Sequence, residues 1–193
     1  MATDPHVGAL SEENRRLSTT ITALAAGLVL VGALVFIFES DSWYLAFKAI
    51  HVLSAVLWIG GGAFLTFMAI ATERADDPAR LVEIARQAEW GAMRIFVPAS
   101  FVVLGMGIAM TINGDLDWGQ FWLVFGLIAW AISTTVGIGF LTPRIKKLTR
   151  LLEDHDARDP EVQAVVAPLL LAARLDIALL LLIVVDMTVK PSF

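Results

Sequence analysis

The sequence predicts an all-α protein with five membrane-spanning helices, and three observations carry that reading. The 193 residues are 58% apolar with a mean hydropathy of +0.75, whereas soluble domains hold about 45–50% apolar residues. The apolar residues fall into runs close to the ~20 that a helix needs to cross about 30 Å of hydrocarbon. Short connections rich in Asp, Asn, Gly and Pro separate those runs. Spans two to five then form an antiparallel four-helix bundle within a single domain, residues 19–193.

Composition also excludes several functions. The net charge of −5 and the lack of any basic run leave no footprint for nucleic acid. No cysteine is present, so disulfides, thiolate metal sites and cysteine nucleophiles are out of reach. No HExxH helix occurs, and Gly60-Gly61-Gly62 lies mid-span, where it cannot cradle phosphate.

Residues 1–18 read as a polar cytoplasmic lead-in. The first span, about 19–38, contains Gly27 and Gly32. It is too long for a signal-peptide core of ~7–15 residues and is expected to be retained. A tight turn at Glu39–Ser42 leads to Trp43 and Tyr44, at interface depth. The second span covers about 43–70.

Asp77 before Pro78 marks a new helix start, a cap followed by proline in the first turn. Leu81, Ile84, Ala88, Ala92 and Ile95 then recur at helical spacing and lead into the third span, about 95–112. Pro98 is placed to kink it. Asn113–Asp117 forms a turn, and Trp118 and Trp122 sit at the next interface. The fourth span, about 121–141, carries Gly126, Gly137 and Gly139, which permit close helix approach. A charged connection begins at Pro143 and ends at Asp159-Pro160-Glu161, a second cap-then-proline signal. The fifth span, about 168–189, holds Arg174, Asp176 and Asp186.

Charge sets the expected orientation. Arg15 and Arg16 precede the first span, Arg74, Arg80, Arg86 and Arg94 follow the second, and Arg144, Lys146, Lys147, Arg150 and Arg158 follow the fourth. The opposite turns hold Glu39, Asp41, Asp115 and Asp117 without a lysine or arginine. The positive-inside rule places the N-terminus in the cytoplasm and the C-terminus outside.

Ionisable residues within apolar runs are costly and point to function. At 100° per residue, Lys48, His51, Ala55, Trp58 and Gly62 share one face of the second span. Lys48 and His51 fall in its outer third, at the depth of Asp186 and Lys190. Lys48 and Asp186 either form a charge pair, or Lys48 snorkels outward while Asp186 is solvated.

His51 has two readings. One is a neutral imidazole bonded to a carbonyl or to Asp186. The other is a haem-iron or metal ligand, or a proton relay. Met106 and Met110 either offer a sixth ligand or fill gaps between helices. Trp58 either packs on Gly126 or Gly137, or walls a flat cofactor for which Gly60–Gly62 leave room. Ser133, Thr134 and Thr135 are expected to satisfy preceding carbonyls. Arg174 and Asp176 are expected to anchor at headgroups or to pair with Arg94 or Glu89.

Lys48-Ala49-Ile50-His51 followed by Trp58-Ile59-Gly60-Gly61 resembles the K-x-x-H…W-x-G-G signature of a bacterial membrane superfamily. That superfamily includes the HemJ-type protoporphyrinogen oxidases and the CopD copper-resistance membrane proteins. The chain is also similar to a family of predicted bacterial integral membrane proteins. The likeness continues through Arg94–Pro98 and Asp186–Pro191.

The resemblance implies a multi-pass helical bundle in the bacterial plasma membrane that binds b-type haem, with His51 as iron ligand and a redox role. The later-helix lysine and the tyrosine–histidine pair of the HemJ-type proteins have no match here, nor does any histidine or methionine cluster suited to copper. Three functions therefore stand: a haem-binding protein using His51, Trp58 and Met106; an accessory subunit of a membrane complex; and a proton or ion pathway through Lys48, His51 and Asp186. The expected partners are the lipid bilayer and either another membrane protein or a second copy of the chain.

Overall fold

The computed structural model describes residues 42–75 and 77–191. The expected lead-in at 1–18 and first span at about 19–38 lie outside the described residues. The chain divides into two units, Met1–Ala46 and Phe47–Phe193, and every packing contact and cavity below belongs to the second.

In hydrocarbon each backbone N–H and C=O must find its partner within the protein, so long apolar runs become helices. Four do: α1 (Trp43–Ala75), α2 (Arg80–Asn113), α3 (Phe121–Asp154) and α4 (Pro160–Val189). Each is long and apolar enough to cross a membrane, and no strand occurs among the described residues. They correspond to expected spans two to five. All four run on beyond the apolar stretches that announce them.

Three of them contain a π-helical turn, at Val56–Gly60, Ala92–Phe96 and Gly137–Leu141. A proline removes the bond to the carbonyl four residues back and crowds it. For Pro98 that carbonyl is Arg94, and for Pro143 it is Gly139. Both fall inside a π turn. The wider turn absorbs each proline, so the helix continues. Pro98 does not break the third span, and Pro143 does not begin a loop: α3 runs on through the charged segment to Asp154.

The helix starts are partly as expected. Asp77 caps the turn begun at Pro78, its Oδ1 accepting the Arg80 N–H at 3.2 Å. Asp159 does not cap with its side chain. Instead Gln163 donates its Nε2–H back to the Ala157 carbonyl at 2.7 Å, which secures the start of α4 from the other direction.

Two packed clusters hold the bundle. The first gathers Trp58, Ala99, Ala129, Ile177, Leu180 and Ile183 from all four helices. The second gathers Ala85, Leu148, Val162, Val166 and Leu169 nearer the arginine- and lysine-rich end. Trp130 ties α3 to α2 by donating its indole N–H to the Ser100 carbonyl at 3.0 Å, and its ring meets Phe101 edge-on. Gly126 is filled from α4, where the Met187 methyl occupies the space a Cβ would need.

Candidate functional site

The three π turns converge on one place. Trp58 and Gly62 of α1, Ala92 and Phe96 of α2, and Gly137 and Leu141 of α3 all border a cavity of about 170 Å³. Helix α4 closes it with Asp176 and Ile177. The cavity takes walls from both packed clusters, Trp58 and Ile177 from one, Ala85 and Val166 from the other. Small side chains on several of its walls explain why it stays open. A Cβ built on Gly137 would meet nothing within 4 Å.

The lining is apolar apart from hydroxyls and one carboxyl. Ser133 of α3 hydrogen-bonds the Asp176 carboxyl of α4. Asp176 Oδ1 and the Thr134 hydroxyl are buried without a partner among the described residues. An unsatisfied buried polar atom costs about 1–3 kcal/mol, and native structures hold few. Two such atoms belong to residues that line this one cavity. About 20 Å of helix rise separates Asp176 from Val189, the last residue of α4, which puts the carboxyl far from that end.

The sequence reading missed this carboxyl. It assigned Arg174 and Asp176 to the headgroups or to Arg94 and Glu89. Arg174 instead forms an ion pair with Glu73 of α1, both half-exposed. Its long stem carries the guanidinium away from Asp176, which turns inward. Ser133 and Thr134 were expected to satisfy preceding carbonyls. Ser133 goes to Asp176 and Thr134 Oγ1 remains unpartnered. A carboxylate within an apolar run was the available signal, and its neighbour Arg174 disguised it as an interfacial pair.

The residues of the expected stripe separate. The π turn at Val56–Gly60 interrupts the even repeat within the stripe. Trp58 is buried and lines the cavity, whereas His51 does not line it. Trp58 also lies away from Gly126, whose space Met187 takes, and shares the cavity wall with Gly137. Lys48 is exposed, and no ion pair joins it to Asp186 among the described residues. Asp186 is 7% exposed and its Oδ2 has no partner there. Lys190 instead places its ammonium 4.7 Å from the Trp122 ring.

His51 lies about 10 Å of helix rise from Trp58. Its Nδ1 is 2.8 Å from the Val103 carbonyl of α2. Only a protonated nitrogen can bond a carbonyl, so this contact assigns the proton to Nδ1 and the lone pair to Nε2. The ring lies against Gly107, where an added Cβ would come within 3.3 Å of Cε1. Met106 is half-buried one residue earlier, about 100° around the helix from Gly107.

Were a haem bound, His51 would be the residue able to hold its iron, through Nε2, with the ring oriented by the Val103 carbonyl as metal-ligating histidines are by their second nitrogen. A porphyrin held by His51 would not be seated in the cavity, which His51 does not border. No group of three or more His, Cys, Asp or Glu side chains able to hold a metal gathers among the described residues.

No curated protein and no solved structure matches the chain. A family model does: residues 45–191, the whole four-helix region and its connections, match that of the predicted integral membrane proteins grouped as DUF2269. A chain with four membrane-competent helices, matched over that length, belongs to the DUF2269 family of integral membrane proteins.

Proposed function

We propose that this protein binds a small molecule within the bilayer, in the cavity that the three π turns surround. One observation carries the reading: Asp176 and Thr134, each with a buried oxygen that has no partner among the described residues, border a cavity whose lining is apolar apart from this carboxyl and a few hydroxyls. Ligand sites are concave, mostly apolar and furnished with a few convergent polar groups. π turns in membrane helices frequently fall at such sites. The size suits a single ring, since an engineered cavity of about 150 Å³ in another protein holds benzene.

Benzyl alcohol tests this reading. Detergent-solubilised protein should bind it saturably in ligand-observed NMR. Gly137→Leu, which grows a side chain into open space, should abolish binding while leaving the protein folded. Equal, non-saturable signal in both proteins contradicts the reading.

A second reading, b-type haem on His51 with a redox role, is favoured by the free Nε2 that the Val103 contact leaves. The likeness of Lys48-x-x-His51 and Trp58-x-Gly60-Gly61 to the CopD and HemJ-type signature supports it as well. In this reading the chain sits in the bacterial plasma membrane. His51 would hold the iron, and the haem would supply electron transfer. Protein purified from haem-replete cells should then show a Soret band that His51→Ala removes. A colourless preparation refutes it.

A further inference from the structure

The donors and acceptors at the cavity wall say what kind of molecule fits, given the binding reading above. Five hydroxyls line it, from Thr66, Ser100, Ser133, Thr134 and Thr142. Thr66 donates to the Gly62 carbonyl at 2.9 Å, Ser100 to Val97 at 2.8 Å and Thr142 to Gly137 at 2.8 Å. Ser133 is engaged with Asp176. Four of the five hydroxyl protons are therefore spent, which leaves these groups only lone pairs to offer a ligand. Asp176, which also lines the cavity, brings a carboxyl.

A ligand must bring donors to such a wall. It must also answer a carboxyl, and among the described residues no Lys, Arg or His lines the cavity. A charge in low dielectric is tolerated when it is paired and hydrogen-bonded. Trp58 and Phe96 add aromatic rings, whose faces attract a cation that comes within about 6 Å.

We propose that the cavity takes a small monoamine, a ring-sized apolar body with one ammonium end, and that Asp176 is its counter-ion. The ammonium brings three donors, one for the Asp176 carboxyl and others for the hydroxyl lone pairs. The apolar body fills the space walled by Gly137, Ile138 and Ala92. Charge-assisted hydrogen bonds are roughly twice as strong as neutral ones. The ammonium should therefore outbind a hydroxyl of the same shape by about tenfold or more.

The test compares benzylamine with benzyl alcohol on detergent-solubilised protein at pH 7, with Gly137→Leu as the background. The expected result is saturable binding of both, benzylamine about tenfold tighter, and loss of that preference in Asp176→Asn. Equal affinity in the unmodified protein overturns the ammonium assignment while leaving the cavity reading intact. A preference that survives in Asp176→Asn overturns the role of Asp176. If neither compound binds saturably, both the cavity reading and this inference fail. Should Asp176→Asn not fold, the ratio in the unmodified protein still decides.

Discussion

Replacing Asp176 with leucine is expected to leave the bundle as stable as before, or to stabilise it. Its Oδ1 is buried and has no partner among the described residues, a condition that costs about 1–3 kcal/mol. Leucine removes that cost. The loss is the hydrogen bond to Ser133, worth about 0.5–1.5 kcal/mol net. Ser133 can recover much of it by turning its hydroxyl to the carbonyl one helical turn back, as serines in helices do. The sum lies between no change and a gain of about 3 kcal/mol.

The competing view makes Asp176 a structural staple between α3 and α4. Losing that bond with nothing gained in return would then cost about 0.5–1.5 kcal/mol. The two views differ in sign. Unfolding of Asp176→Leu in an SDS titration, followed by circular dichroism beside the unmodified protein, separates them. A variant less stable by more than about 1 kcal/mol refutes the idea that this carboxyl is kept for binding at the expense of stability.

Other expectations follow from single contacts. Gly61→Ala pushes a Cβ into the Phe96 ring and should destabilise by about 1–3 kcal/mol, whereas Gly60→Ala meets nothing within 4 Å and should be neutral or gain up to about 1 kcal/mol. Equal effects in an SDS titration would deny the close approach of α1 and α2 at Gly61. Asp77→Ala removes the cap on α2 and should cost about 1 kcal/mol in the same titration; no change would mean the cap is idle. Arg174→Ala breaks a half-exposed ion pair and should cost under about 1 kcal/mol, and a larger loss would give that pair a structural role. The proposed orientation is open to labelling because the chain has no cysteine of its own. An impermeant maleimide added to whole cells should reach Asp115→Cys but not Lys147→Cys, and the opposite pattern would invert the topology.

Much of the fold was legible in the sequence because hydrocarbon enforces it. Spans two to five, the Asp77–Pro78 start and the turn after Asn113 each follow from a local rule: apolar length, capping or breaker chemistry. The π turns were not legible. They answer a proline in two cases and close packing in the third, where Gly61 lies under Phe96. A periodicity argument at 100° per residue assumes they are absent.

Of the stripe that joins His51 to Trp58, Trp58 lines the cavity and His51 does not, a difference that even spacing does not announce. Asp176 was visible as an acid in an apolar run, but Arg174 beside it suggested an interfacial pair. Only tertiary structure shows Arg174 reaching Glu73 while Asp176 turns to Ser133. The environment of His51 was closer to the reading: a bond to a carbonyl was one of its two alternatives.

The central claim is that the Asp176 carboxyl receives the polar end of a bound molecule. Infrared difference spectroscopy on benzylamine addition, with Asp176→Asn subtracted, tests it most directly. The account predicts a carboxyl band that changes on saturation and is absent from the variant. A spectrum in which no carboxyl band responds, or in which the same band persists without Asp176, contradicts it.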